Sequence, residues 1–140
     1  MSQKVEFASP QWLATLKSMI ERYMALAGPE LKLSICEVFT GAPPNLDKNG
    51  DGVIAWHCRI AEGRLEFAEG EIDDADIKTV ADYAFILPFA RMRLEPGAMD
   101  EYQRLQEAGA AAGKVRHHGD RTRVPPAFYG MHNELAELTA

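Results

Sequence analysis

The chain has 140 residues, the usual size of one domain, and we expect a single domain over residues 1–140. Apolar residues make up 46% of the chain and charged residues 26%, so a core can form without a metal ion or a disulfide bond. The net charge of −6 argues against a general binder of nucleic acid or anionic membrane, because such surfaces need clustered lysine and arginine.

The sequence shows no pattern typical of a secretion signal, a membrane span or a peroxisomal address. The first residues lack the apolar region of a secretion signal, and no window approaches ~18 consecutive apolar residues. The two cysteines, Cys36 and Cys58, fit a reducing compartment better than a disulfide scaffold. The chain ends in Leu-Thr-Ala rather than in a peroxisomal address. We therefore expect a cytoplasmic protein without stable membrane insertion.

The first half of the chain is predicted to form one helix and four strands. Ser9 can cap the helix and Pro10 suits its first turn, after which apolar residues recur every three or four positions as far as a Gly-Pro pair. From Leu31 the period changes to two, although Glu37 interrupts the apolar row of the first strand. The fourth strand, 72–81, has the weakest pattern. We interpret the four strands as an antiparallel meander whose apolar face needs a cover.

The second half is predicted to supply that cover. Asp82 can cap a helix that carries Phe85, Phe89 and Met92, and Pro88 either kinks this helix or starts it. A second helix follows Pro-Gly at 96–97, a short strand lies in "KVRHHGD", and an amphipathic helix ends the chain. Helix, four strands, two helices, strand and helix predict an α+β layered domain with a five-stranded, mainly antiparallel sheet.

The stretch "NLDKNGDGVIAWHC", residues 45–58, resembles the start of a calcium-binding EF-hand loop. With Asp47 as the first ligand, the twelfth position is Cys58, where an EF-hand needs a bidentate glutamate. The motif also requires flanking helices, whereas strands are expected on both sides here. Asn-Gly and Asp-Gly are strong hairpin signals. The sequence therefore predicts a tight turn and not a calcium site.

Other candidate metal sites are weak. Strand alternation sends His57 to the face opposite Cys58, so two thiols and one histidine do not form a zinc site. The acidic run at 69–76 could hold a cation, but it is more typical of a solvated turn. We expect neither a metal nor a cofactor.

The His117-His118 pair lies on a predicted strand, so one ring can face the interior as a general base or as a structural histidine. The interior ring would lie near Asp120 or Glu134. His132, next to the apolar stripe of the last helix, could be a cap or line a cavity. The sequence has no Gly-x-Ser-x-Gly elbow and no phosphate-binding glycine loop.

Large apolar side chains are concentrated on the helices that would cover the sheet. They either fill a solid core or line a cavity that adapts to an apolar ligand, and the spacing is compatible with both. The candidate ligand-binding residues are Trp56, Phe85, Phe89, Met92, Met99, Tyr102, Phe128 and Met131.

Several stretches resemble the sterol carrier protein type two family of small lipid-transfer domains. They are "FASPQWLATLKSMI", "GVIAWHCRIAEGRLEFAEG", "ADIKTVADYAFILPFARM", "GKVRHHGD" and "PPAFYGMHNELAEL". The resemblance covers nearly the whole chain, and its most specific part is the segment 113–120. It implies a five-stranded sheet covered by helices around an apolar tunnel. Members bind fatty acids, fatty acyl-CoA, sterols or other lipids, and most are not catalysts.

The leading hypothesis is therefore a module that binds a lipid or another hydrophobic molecule. Burial of an acyl chain is worth ~0.8 kcal/mol per CH₂, so an apolar cavity could hold one without a special polar group. Candidates to orient a polar end at the mouth are Arg91, Arg93, Arg116 and His118, and Lys114 and Arg121 could reach a CoA phosphate.

Two alternatives remain open at this point. A small isomerase or hydratase could act on a terpenoid or steroid with His118, His132 and Asp82 as acid–base groups. A structural domain with a solid core would admit no ligand. An edge strand of the sheet could also pair two copies as a homodimer.

Overall fold

The computed structural model describes residues 4–140, and its element order confirms the predicted α+β domain. The elements are α1 Pro10–Ala27, β1 Leu33–Thr40, β2 Val53–Ala61, β3 Arg64–Glu69, β4 Ile77–Asp82, α2 Tyr83–Ala90, α3 Met99–Ala111, β5 Val115–His118, a one-turn 3₁₀ helix Arg121–Arg123 and α4 Ala127–Leu138.

The five strands form one sheet in the order β3-β2-β1-β4-β5. Three of the neighbouring pairs are antiparallel, but β4 runs parallel to β1. The expectation of a four-strand meander was therefore wrong for the last strand. A parallel neighbour needs a crossover, and the segment 70–76 provides it by crossing β2 and β1 to reach the far side of the sheet.

The crossing segment 70–76 is tied to one face of the sheet, which we call the back face. Its acidic residues do not form an isolated solvated run. The Arg59 guanidinium lies 2.8 Å from the Asp74 carboxylate, and the Ser34 backbone N–H donates to Asp76 at 2.9 Å. Lys78 pairs with Glu71 at 2.5 Å. These contacts cover the back face where β1 and β2 would otherwise be open.

The β1–β2 hairpin has turn structure in the calcium-like stretch, as predicted, but its strands are joined by the twelve-residue loop 41–52 and not by a tight turn. Thr40 pairs with Val53 at the end of the ladder. The Asp47 carboxylate accepts hydrogen bonds from the backbone N–H groups of Gly50 at 2.9 Å and Gly52 at 2.8 Å. Asp47 therefore organises the turn itself, as aspartate commonly does.

Both predicted helix caps are present. Ser9 Oγ accepts from the Trp12 backbone N–H at 3.1 Å, and an Asp82 carboxylate oxygen accepts from the Phe85 N–H at 3.0 Å. Pro88 lies inside α2 and does not start it. The helix ends at Ala90, so Met92 lies beyond it instead of on its apolar face.

All four helices lie on the other face of the sheet, the front face. Helix α1 packs on α4, and the Trp12 indole N–H donates to Thr139 Oγ1 at 3.1 Å. Helix α2 contacts β4 and α3 contacts β5. The buried cluster joins α1 and α4 to β1 and β2; its largest members are Phe7, Trp12, Met19, Met24, Phe39, Trp56, Tyr83 and Phe128.

Two glycines flank β5 and offer a matched test of its packing. Gly113 and Gly119 have φ angles of +76° and +91°, which side chains rarely adopt. A Cβ on Gly113 would meet nothing within 4 Å, whereas one on Gly119 would lie 1.9 Å from the Asp76 carbonyl oxygen.

We expect Gly113→Ala to cost about 1 kcal/mol through backbone strain, and Gly119→Ala to cost at least ~2 kcal/mol more because backbone must move. Urea denaturation of both variants measures the difference. Equal losses of stability would show that β5 does not approach the 70–76 segment as closely as described.

Candidate functional site

A row of four residues crosses the front face of the sheet. Strand register aligns Trp56 of β2 with Glu37 of β1, Glu37 with Thr79 of β4, and Thr79 with His117 of β5. Because aligned residues on neighbouring strands share a face, all four side chains lie on the side covered by helices. Gln106 of α3 contacts His117 from above the sheet. We use the name polar row for the three polar residues of the strands together with this glutamine: Glu37, Thr79, His117 and Gln106.

Hydrogen bonds fix the protonation of His117. Its Nε2 lies 3.0 Å from Gln106 Oε1, and its Nδ1 lies 3.0 Å from Thr79 Oγ1. An amide oxygen can only accept, so Nε2 carries the proton and Nδ1 accepts from the threonine hydroxyl in this assignment. Burial and, to a smaller extent, the positive charge of Arg121 together lower the pKa of His117 to about 4. The imidazole is therefore neutral at physiological pH.

Glu37 is the unusual member of the row because it is a carboxyl on the core-facing side of the central strand. Burial raises its pKa to about 7. The Trp56 indole N–H, which lies beside the carboxyl, and the charge of Arg121 oppose that rise. Near pH 7 the side chain is thus divided between its neutral and charged forms.

Two donors, one in the polar row and one beside it, have no hydrogen-bond partner within the described residues. They are Trp56 Nε1 and Gln106 Nε2, on side chains whose residues are only 3% and 7% exposed. The Trp56 N–H influences Glu37 without reaching the geometry of a full hydrogen bond. Buried donors are nearly always paired in folded proteins. Glu37 lies beside the Trp56 N–H, whereas the Gln106 NH₂ needs a partner that residues 4–140 do not supply.

Aromatic clusters lie at both sides of the polar row. Phe85 and Phe89 of α2 have ring centroids 5.1 Å apart, and Phe89 meets Tyr102 of α3 edge-on at 5.3 Å. On the other side, Trp56 stacks on Phe67 of β3 at 5.4 Å. The front face is therefore apolar at its two sides and polar between them.

The predicted ligand-binding residues fall into two groups. Trp56 and Phe128 belong to the buried cluster under α1 and α4, and Met131 packs against it. Phe89 is also buried, whereas Phe85, Met92, Met99 and Tyr102 are half-buried around α2 and α3. Their role in ligand binding remains a prediction.

The suspected acid–base residues do not converge. His118 is exposed and lies on the back face, so the inward-facing histidine is His117, and the choice of His118 was wrong in orientation. His132 Nε2 contacts the Met92 carbonyl oxygen at 2.8 Å, and burial lowers the pKa of His132. Asp82 serves as the α2 cap. Glu134, expected near the inner histidine, instead pairs with Arg22 at 2.8 Å.

The basic residues expected at the mouth are dispersed. The Arg91 side chain donates to the Ala140 carbonyl oxygen at 2.6 Å, and Arg93 pairs with Glu95 at 3.0 Å and also with Glu137. The remaining three, Lys114, Arg116 and Arg121, are exposed around β5 and the 3₁₀ helix.

A groove lies between the start of α1 and the edge strand β3. Its volume is about 280 Å³, and it is lined by Pro10, Leu13, Ala14, Lys17, Phe67, Ala68 and Glu69. Phe67 both lines this groove and stacks on Trp56. The Phe67 ring is therefore shared by the groove and by Trp56 at this edge of the front face.

The architecture can be compared with solved structures. A crystal structure of sterol carrier protein 2 superimposes with a TM-score of 0.56 and 16% identity, covering 96% of this chain and all of that one (100%). A conserved hypothetical protein from Thermus thermophilus, described as a suggested sterol carrier protein, gives 0.53 and 15%, covering 99% of this chain and 92% of that one. This chain has the sterol carrier protein 2 fold.

The structural likeness confirms the resemblance seen in the sequence, although no protein-family model and no curated protein matches the chain. In the sterol carrier fold described here, no helix within residues 4–140 combines the length and the apolar character that a membrane span requires.

Proposed function

We propose that this protein binds a hydrophobic small molecule, of the lipid class, between the front face of its sheet and the covering helices. Support comes from the fold and from the names of its structural neighbours, which are a sterol carrier protein and a suggested one. A fatty acid, a fatty acyl-CoA and a sterol-like molecule are the candidate ligands, and transfer of the ligand between sites is part of the proposal.

One observation on β1 carries the proposal. Leu33 and Phe39, at the two ends of its core-facing row, are each 1% exposed, whereas Ile35 and Glu37 between them are only half-buried. Protein nevertheless surrounds the Glu37 carboxyl closely enough to raise its pKa, so the exposed part of its side chain borders an internal space and not open solvent. The middle of the central strand should be the best-covered position of a sheet with a solid core. A gap in the cover at this point is the expected position of a ligand.

The groove between α1 and β3 is the proposed entrance. At about 280 Å³ it is close to the lower end of the ~300–1,000 Å³ range of ligand pockets. Rotation of the Phe67 ring would connect it with Trp56, and burial of each CH₂ of an entering chain is worth ~0.8 kcal/mol.

The test uses diphenylhexatriene, a hydrocarbon fluorophore that has no polar atom. The chain has two tryptophans, so a Trp12→Phe variant leaves Trp56 as the single donor for energy transfer. We expect diphenylhexatriene to become fluorescent on binding and to quench Trp56. Native mass spectrometry of protein purified without detergent should show a co-purified lipid, which denaturing extraction identifies.

A pair of variants locates the site. Ile35→Phe should fill the gap and weaken diphenylhexatriene binding on the order of tenfold. Val80→Phe is the control, because Val80 is equally β-branched and half-buried but lies on the back face. A clean apo mass together with no binding of the fluorophore would contradict the proposed function.

A further inference from the structure

The polar row contains a donor, the Gln106 NH₂ group, that has no hydrogen-bond partner within residues 4–140. Gln106 directs its amide oxygen to His117 Nε2, which turns its NH₂ group away from that ring. The residue is 7% exposed, and this NH₂ has no partner among the described residues. If the amide were reversed, its oxygen would be the free atom instead. A hydroxyl group can satisfy either orientation, because it both donates and accepts.

The charges around the row bear on which polar group can approach. Glu37 lies two strands from His117, roughly 10 Å along the row. The positive charge of Arg121, from the 3₁₀ helix, acts on the Glu37 carboxyl. The Glu37 carboxylate in turn raises the pKa of two thiols, Cys58 of β2 and Cys36 of its own strand. The nearest imidazole, His117, is neutral. One exposed arginine therefore faces a carboxyl that ionises near neutral pH.

We propose that the polar row binds the neutral hydroxyl group of an apolar ligand, with Gln106 as its hydrogen-bond partner, and that Glu37 makes the row select alcohols over carboxylates. This inference rests on the proposed function. An ionised ligand head at Gln106 would place a second negative charge roughly 10 Å from Glu37 along the row, and like charges still repel over this distance in a poorly solvated space. An alcohol meets no such repulsion and pairs with the free amide.

The experiment compares 1-dodecanol with dodecanoic acid, which differ only in the head group. The affinity of each compound is measured by its displacement of bound diphenylhexatriene. Because this fluorophore has no polar atom, its own affinity depends on the apolar space and not on the polar row. At pH 8.5, where Glu37 is ionised, we expect the alcohol to bind on the order of tenfold more tightly than the carboxylate, because both heads can accept from the Gln106 NH₂ but only the carboxylate is repelled by Glu37. At pH 6 the difference should shrink.

Two variants of Gln106 separate head-group binding from folding. Gln106→Leu removes the amide, and Gln106→Glu keeps an oxygen next to His117 while it removes the free NH₂ group. Both should weaken 1-dodecanol binding on the order of tenfold and leave diphenylhexatriene binding unchanged. Glu37→Gln should raise the affinity for dodecanoate at pH 8.5 and remove its dependence on pH. Binding of the fluorophore checks that each variant is folded.

The outcomes show separately whether the hydroxyl site fails and whether the proposed lipid-binding function fails. Failure of diphenylhexatriene to bind the wild type would overturn both. Binding of the fluorophore, with 1-dodecanol affinity unchanged in both Gln106 variants, would overturn the hydroxyl site alone. A wild-type preference for dodecanoate at pH 8.5 would also overturn it, and would place the polar end of the ligand at Arg121.

Discussion

Replacing Glu37 with glutamine will stabilise the protein at high pH and leave its stability unchanged at low pH. The carboxyl has a pKa of about 7 in the folded state, against 4.5 when it is unperturbed. Between these values the folded protein holds a proton that the unfolded chain has lost, so stability falls as pH rises from 4.5 to 7. At ~1.4 kcal/mol per pKa unit, the loss in the wild type approaches about 3 kcal/mol.

Glutamine has the shape of the neutral acid and cannot ionise, so Glu37→Gln lacks this loss. Urea denaturation at several pH values from 4.5 to 8.5 measures the difference between variant and wild type. Glu66→Gln is the control, because Glu66 is exposed on β3. A constant difference in the free energy of unfolding at pH 5 and pH 8.5 would show that Glu37 ionises as freely as a surface carboxylate.

The second large effect, at His117, has the opposite sign. Its pKa is about 4 in the folded protein and 6.5 when it is unperturbed. Between pH 6.5 and 4 the unfolded chain takes up a proton that the folded protein does not, so stability falls as pH falls. The loss again approaches about 3 kcal/mol at ~1.4 kcal/mol per unit.

A His117→Gln variant should be less stable than the wild type at pH 7, because it loses hydrogen bonds to Thr79 and Gln106 worth about 1 kcal/mol each. This deficit should shrink or reverse as the pH falls to 4.5. His118→Gln, at the exposed neighbouring position, is the control. A deficit that stays constant with pH would mean that His117 titrates in the folded protein as it does in the unfolded chain.

The two linkages oppose each other between pH 4.5 and 6.5. In this window the loss of stability from Glu37 on raising the pH is offset by the gain from His117. In each single variant, the free energy of unfolding should therefore change with pH in the direction set by the residue that remains. The double variant Glu37→Gln/His117→Gln should lack both slopes.

Local signals in the sequence were sufficient for most of the secondary structure. Ser9 and Asp82 cap helices as predicted because a cap depends on a side chain and on backbone groups within three residues of it. The turn at 45–52 formed for the same reason, since Asp47 bonds to its own loop. The change of period from 3.6 to two likewise marked where α1 gives way to strands.

Long-range pairing could not be read from the same signals. The alternation of β4 is equally compatible with a position beside β3 and with the observed position beside β1. Contacts of the 70–76 segment with Ser34 and Arg59 decide between them, and these residues are far apart in the sequence. In the four-residue strand β5, alternation showed that one histidine points inward but could not show which.

The sequence by itself determined an α+β domain and marked Glu37 as a polar interruption in an apolar row. Only the tertiary structure decided what that interruption means, because burial of the carboxyl depends on helices that lie elsewhere in the chain. Register across three strands then aligned Glu37 with Thr79 and His117, and α3 brought Gln106 to the same row. The alternation of apolar and polar residues depends only on neighbours in the sequence. Desolvation and hydrogen bonding in the polar row depend on side chains that meet only in the folded protein.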